Sequence, residues 1–204
     1  MKSKNDLNDL PLLREQRIPQ GMITLLENKD VIDNTFLDGI GNMQSLEKEI
    51  FRLTETYNGQ DEILERVFHM VQIWGGMTGR HFYVRQNYHR DNFIEQYRRI
   101  AEMCRTIHDS SLESQRRLFD CLMHNRIRYV GVSFMTKHTR FWLVSSCGGD
   151  VLPIYDKFQA RRVMGLEQSS WKTLIPYWER MKDIAKIERK SLLLLEREMA
   201  NDSL

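Results

Sequence analysis

The chain offers few places at which a long helix must stop. Four prolines and eleven glycines are spread over 204 residues, and these two residue types are the strongest local breakers. Apart from the short run Val151-Leu152-Pro153-Ile154, almost no stretch alternates apolar and polar residues with the period of two that a half-buried strand needs. A sandwich or barrel built of short strands is therefore excluded. Apolar residues recur instead at helical spacing. Leu46, Ile50 and Leu53 share one face of SLEKEIFRL behind Ser45, a candidate N-cap. Ile63, Val67, Met70, Val71 and Trp74 do the same behind Asp61, and Gly75-Gly76 ends that helix. Further helices are predicted over 92–107, from about Leu112 to His124, from about Thr136 to Gly148, from Asp156 to Gly165, from Trp171 to Lys186, and onward to Met199. The predicted fold is all-α, with a partly ordered leader over residues 1–20 and one helical domain over 21–204.

Hydrophobic residues at 41% and charged residues at 28% suit a packed globular core. A net charge of +2 means that any nucleic-acid surface is local rather than spread over the molecule. The cysteines, Cys104, Cys121 and Cys147, are far apart and form no C-x-x-C pair. The six histidines show no HExxH spacing, so neither a metal nor a cofactor is expected. No GxGxxG, GxxxxGK[ST] or GxSxG is present to suggest nucleotide binding or serine hydrolysis. The longest apolar run, Leu192 to Leu195, is too short for a membrane, and MKSKNDLNDL has no apolar signal core. The expectation is a soluble cytoplasmic protein, nucleoid-associated in a prokaryote.

One stretch carries chemistry. A Gly131-Val132 turn precedes Lys137 near the start of a helix. That helix ends in small residues, and the apolar approach Leu152-Pro153-Ile154 leads to Asp156, which opens the next helix nineteen positions after Lys137. A lysine in a helix's first turn feels the positive end of the dipole, and burial adds desolvation; both favour the neutral, nucleophilic amine. An aspartate at an N-cap is stabilised as the carboxylate that can face a developing cation.

These features in this order resemble the helix-hairpin-helix DNA glycosylases, and among them the 8-oxoguanine DNA glycosylase-like branch. The resemblance implies a glycosylase-like helical bundle with its helix-hairpin-helix at about residues 118–148. The implied activity is DNA N-glycosylase, with or without AP-lyase, on a damaged or modified base in duplex DNA. Lys137 would attack C1′ of an extruded nucleotide and Asp156 would stabilise the cationic sugar. Gly131, Val132, Ser133 and Thr136 would hold the DNA backbone, while Phe141 and Ser145, four and eight positions beyond Lys137, would wall the base pocket. The hairpin departs from the family's Gly-Val-Gly at Ser133, and Phe134-Met135 lengthens it. Tyr155 is an extra residue before the aspartate, and Phe158 stands where a polar phosphate contact is usual. The segment Trp74 to Arg80 also resembles one that this branch places after an early helix.

Beyond the resemblance, Arg80 opens a basic-aromatic run through Arg90 that reads either as a nucleic-acid groove or as a packed loop with solvated arginines. Arg161 reads either as a backbone contact or as part of a solvated face. His138 is a minor acid–base candidate or a helix-surface residue. The expected partner is DNA, with no membrane and a monomeric state. Two other functions fit the same residues: a catalytically inactive binder of DNA or a modified base, and a helical protein–protein adaptor.

Overall fold

The computed structural model of the protein describes residues 17–85 and 93–201, and no β-strand occurs among them. The helices are α1 (Gln20–Glu27), α2 (Met43–Thr56), α3 (Asp61–Trp74), α4 (Arg80–Arg85), α5 (Ile94–Arg105), α6 (Leu112–His124), α7 (Val132–Cys147), α8 (Lys157–Met164), α9 (Leu174–Glu188) and α10 (Leu192–Asn201). No helix among the described residues is long and apolar enough to cross a membrane. The leader lies largely outside the described residues, as do Tyr88, His89 and Arg90.

Local signals set most helix ends. The cap of α2 is Asn42 rather than Ser45. Asn42 Oδ1 accepts from Ser45 N–H at 2.8 Å, and Ser45 Oγ accepts from Asn42 N–H at 3.0 Å, so each satisfies an orphan donor of the other. Asp61 is the first residue of α3, behind Gln60, not its cap. The segment expected as a loop after α3 is helical as far as it is described: a short 3-10 turn at Met77–Gly79 leads into α4. There Phe82 and Tyr83 pack inward while Arg80 and His81 remain exposed. The left-handed Gly165, with φ +67°, ends α8.

The centre of the bundle is α7, which packs against α2, α3 and α5. It starts at Val132, one turn earlier than predicted, so Ser133 to Met135 belong to the helix and not to an irregular hairpin. It is buried on nearly every side, polar residues included. His138, which the sequence suggests as a surface residue, is wholly buried. Its ring stacks on Phe68 at 4.8 Å, and Gln72 Nε2 donates to its Nε2 at 3.1 Å. Its Nδ1–H then donates to the Tyr97 hydroxyl at 3.0 Å, which also accepts from Trp142 Nε1–H at 2.9 Å. Burial pushes the His138 pKa down to about 3, so the ring is a neutral part of the core.

A buried set of charges ties α7 to α2 and α10. Arg140 Nε donates to Glu196 at 2.6 Å and its Nη1 to Glu47 at 3.1 Å, while Arg197 Nη2 donates to the other oxygen of Glu47 at 2.6 Å. All four residues are buried, and their two positive and two negative charges cancel. Removing one member of such a set leaves an uncompensated buried charge, at a cost of about 3–5 kcal/mol. Glu47→Gln is expected to lower stability by about that amount. The check is the midpoint of urea unfolding, which falls with an unchanged slope.

Candidate active site

The site is organised by five residues of extended backbone, Val151 to Tyr155, that run buried through the helices without pairing as a strand. Buried backbone N–H and C=O groups need partners, and here side chains provide them. Trp178 Nε1–H of α9 donates to Pro153 O at 3.1 Å and the Tyr177 hydroxyl to Ile154 O at 2.6 Å. Ile154 N–H donates to Glu196 of α10 at 2.7 Å. Tyr155 N–H donates to Thr136 Oγ1 of α7 at 2.9 Å. The Tyr155 ring stacks on Tyr177 with centroids 4.2 Å apart, and its hydroxyl meets Thr173 at 2.7 Å. Tyr155, supernumerary in the resemblance, is thus a built part of this strap.

The Thr136–Tyr155 bond joins the two positions that immediately precede Lys137 and Asp156. It therefore fixes the register of α7 against the start of α8. Asp156 caps α8 as the sequence predicts: its Oδ1 accepts from Phe158 N–H and Gln159 N–H, both at 3.0 Å. Lys137 and Asp156 line one cleft, together with Trp74, Arg140, Ile154, Gln159, Glu196, Arg197 and Ala200. The cleft is small, with a volume of about 90 Å³, below the roughly 300–1,000 Å³ typical of small-molecule sites.

Lys137 lies in the second turn of α7, because that helix begins at Val132. The dipole argument weakens accordingly, since the effect fades beyond the first turn. Burial is what pushes the Lys137 ammonium below the ordinary lysine range, and the negative charge of Asp156 opposes the shift. The amine also lies 4.6 Å from the centre of the Phe134 ring. That ring covers Gly75 so closely that a Cβ there would stand 2.3 Å from it, and Gly79 abuts the same ring. The Trp74–Arg80 segment thus closes against the first turn of α7 and carries Trp74 to the cleft.

The other predicted residues do not gather at the cleft. Thr136 is fully buried, and its hydroxyl is engaged with Val132 O, Ser133 O and Tyr155 N–H. It is a strut of the site and has no surface for DNA. The Val132 side chain is buried, Ser133 is partly exposed, and Gly131 is exposed as the N-cap of α7. Phe141 is fully buried between Trp74 and Phe51, at centroid distances of 5.3 and 5.0 Å, so its ring belongs to the core and not to an open pocket wall. Ser145 is exposed near the far end of α7, bonded to Trp142 O. Arg80 and Arg161 are exposed on α4 and α8. Phe158 is exposed beside Lys157.

Sequence reasoning missed Gln159, Arg140, Glu47, Glu196 and Arg197. Arg140 was findable, because it lies one helical turn beyond Lys137. Glu196 and Arg197 follow directly on the four leucines that begin α10, where charges read as a solvated face. No group of three or more His, Cys, Asp or Glu side chains suited to a metal ion occurs among the described residues. A scan of family models, a search of curated proteins and a search of solved structures each return no match to this chain.

Two outcomes follow from this geometry. Thr136→Val keeps the side-chain shape and leaves Tyr155 N–H unpaired, so it is expected to cost about 1–3 kcal/mol of stability, measured by thermal or urea unfolding. Asp156→Asn removes the charge that holds the Lys137 ammonium up, so Lys137 is expected to titrate lower still. Acetylation of Lys137 followed by mass spectrometry across pH reads this directly. The wild-type midpoint should lie below about 10.4 and that of the variant lower again; a higher midpoint in the variant contradicts the assignment.

Proposed function

We propose that the protein is a DNA N-glycosylase in which Lys137 is the nucleophile and Asp156 the electrostatic partner. The observation that supports this reading best is their convergence on one cleft: a desolvated lysine amine beside a carboxylate held by two backbone N–H groups. A neutral amine at this position attacks C1′ of a nucleotide turned out of the duplex. The N-glycosidic bond breaks, the base leaves with its bonding electrons and takes up a proton, and a C1′–Nζ bond forms. Opening of the sugar ring then yields an imine that hydride can reduce. Asp156 faces the positive charge that develops at C1′ and the ring oxygen in the transition state.

DNA engagement fits the exposed start of α7. Gly131 has no side chain to cap that helix, so first-turn N–H groups are available to a phosphate. In this reading α6, the turn over residues 125–131 and α7 form the helix-hairpin-helix, and Arg80 and Arg161 are local cations on a nearly neutral molecule.

The test is borohydride trapping of the protein on duplex DNA carrying an abasic site. Wild type is expected to form a covalent adduct and Lys137→Gln none. Asp156→Asn is expected to slow base excision by about 10²–10⁴-fold. Wild type that binds duplex with a salt-dependent affinity but never traps fits the non-catalytic binding module instead. An adduct that persists in Lys137→Gln removes Lys137 from the chemistry.

A further inference from the structure

Lys137 Nζ lies over the Phe134 ring, 4.6 Å from its centre. The two residues stand three positions apart on α7 and share one side of that helix. The same ring rests against two glycines of the segment that follows α3. A Cβ on Gly75 would stand 2.3 Å from Phe134 Cε1 and 2.6 Å from its Cζ, and one on Gly79 would stand 3.2 Å from Cε1. Gly75 has φ −70° and ψ −6°, right-handed backbone that alanine adopts equally well. Its missing side chain therefore answers to the ring and not to the backbone. Gly79 has a second reason to lack one, since a Cβ there would also meet Gln72 O at 2.7 Å.

Few charges act on this amine. Arg140, Glu196 and Arg197 line the cleft, but together with Glu47 they form the buried set whose charges cancel. His138, next along α7, is neutral because burial pushes it down to about 3. Among the described residues that leaves two groups to attract a positive charge on Nζ: the Asp156 carboxylate and the negative face of the Phe134 ring.

An amine that bonds to a sugar carbon becomes cationic on the way. On an abasic site the Nζ lone pair adds to the C1′ aldehyde, the oxygen leaves as water after proton uptake, and a protonated C1′=N bond remains. Hydride then adds to C1′, and the C=N electron pair returns to the nitrogen as a secondary amine. Resting on the reading of Lys137 as the nucleophile, we propose that Phe134, seated on Gly75 and Gly79, is a positioning residue of the reaction: its ring face holds the Lys137 amine and stabilises the positive charge that the nitrogen acquires as the imine forms. Asp156 serves the sugar, and Phe134 serves the nitrogen.

The experiment separates the ring's charge from its bulk. Phe134→Leu keeps an apolar cover over the amine and removes the aromatic face. Gly75→Ala leaves the backbone unstrained and forces the ring off its seat. Two quantities are read in each variant: the midpoint of Lys137 acetylation across pH, and the single-turnover rate of borohydride trapping on an abasic duplex at neutral pH. The ring favours the ammonium, so its loss lowers the midpoint; Phe134→Leu is expected to lower it by about one pH unit. The same variant is expected to trap about 2- to 30-fold more slowly, although more of its amine is neutral at the assay pH. Gly75→Ala is expected to move both quantities in the same direction and to add less than about twofold on top of Phe134→Leu. Should Phe134→Leu not fold, Gly75→Ala carries the test alone.

A midpoint that rises toward the ordinary lysine range in these variants overturns the proposal, because the ring then acts only by excluding water. A lowered midpoint with undiminished trapping overturns its role in the reaction. Effects of the two substitutions that multiply in the double variant overturn the assignment of Gly75 as the ring's seat. Wild type that never traps on the abasic duplex overturns the glycosylase reading and the role of Phe134 in it, and the acetylation midpoints then still report whether the ring holds the amine.

Discussion

The strap from Val151 to Tyr155 is extended backbone inside a helical core, and no neighbouring strand satisfies its polar groups. Side chains from α7, α9 and α10 do so: Thr136, Tyr177, Trp178 and Glu196. These four bonds join three helices to the strap, so the strap sets how the helices meet as much as they set its path. The consequence for the site is one of register. The Thr136–Tyr155 bond locks the residues preceding Lys137 and Asp156 together, and two positions nineteen apart in sequence come to line one cleft.

The charges beneath the cleft have the same double character. Glu196 serves both the strap, through Ile154 N–H, and Arg140 on α7. Arg140 in turn shares Glu47 with Arg197. Because this buried set is neutral overall, it lets two guanidinium groups sit close to Lys137 while burial remains the leading influence on that lysine. The downward push on the Lys137 ammonium beside a fixed carboxylate is then a property of the packing. The nearby helix start contributes less, since Lys137 stands a turn further along α7 than the sequence implies.

Much of this was legible in the sequence, and the reasons differ by feature. Helical periodicity and scarce breakers gave the all-α class, and Asp156 was readable as an N-cap because capping is a local rule. The start of α7 was misplaced because Ser133 to Met135 look like an insertion when compared with a Gly-Val-Gly turn, although they form ordinary helix. Thr136 was given a DNA contact by the resemblance, Phe141 a pocket wall by helical spacing, and His138 a surface place as the neighbour of Lys137. Spacing shows which residues share a face, but only tertiary packing shows that α7 is surrounded on nearly every face. Glu196 and Arg197 were invisible for a related reason: their partners lie far along the chain.

The central claim is that the Lys137 amine, held beside Asp156 by the strap, is the atom that bonds to the sugar. Peptide mapping of the borohydride-reduced adduct on an abasic duplex addresses that atom directly. After protease and nuclease digestion, the account predicts the deoxyribose remnant on the peptide containing Lys137. A remnant carried by another lysine or by the terminal amine would contradict it.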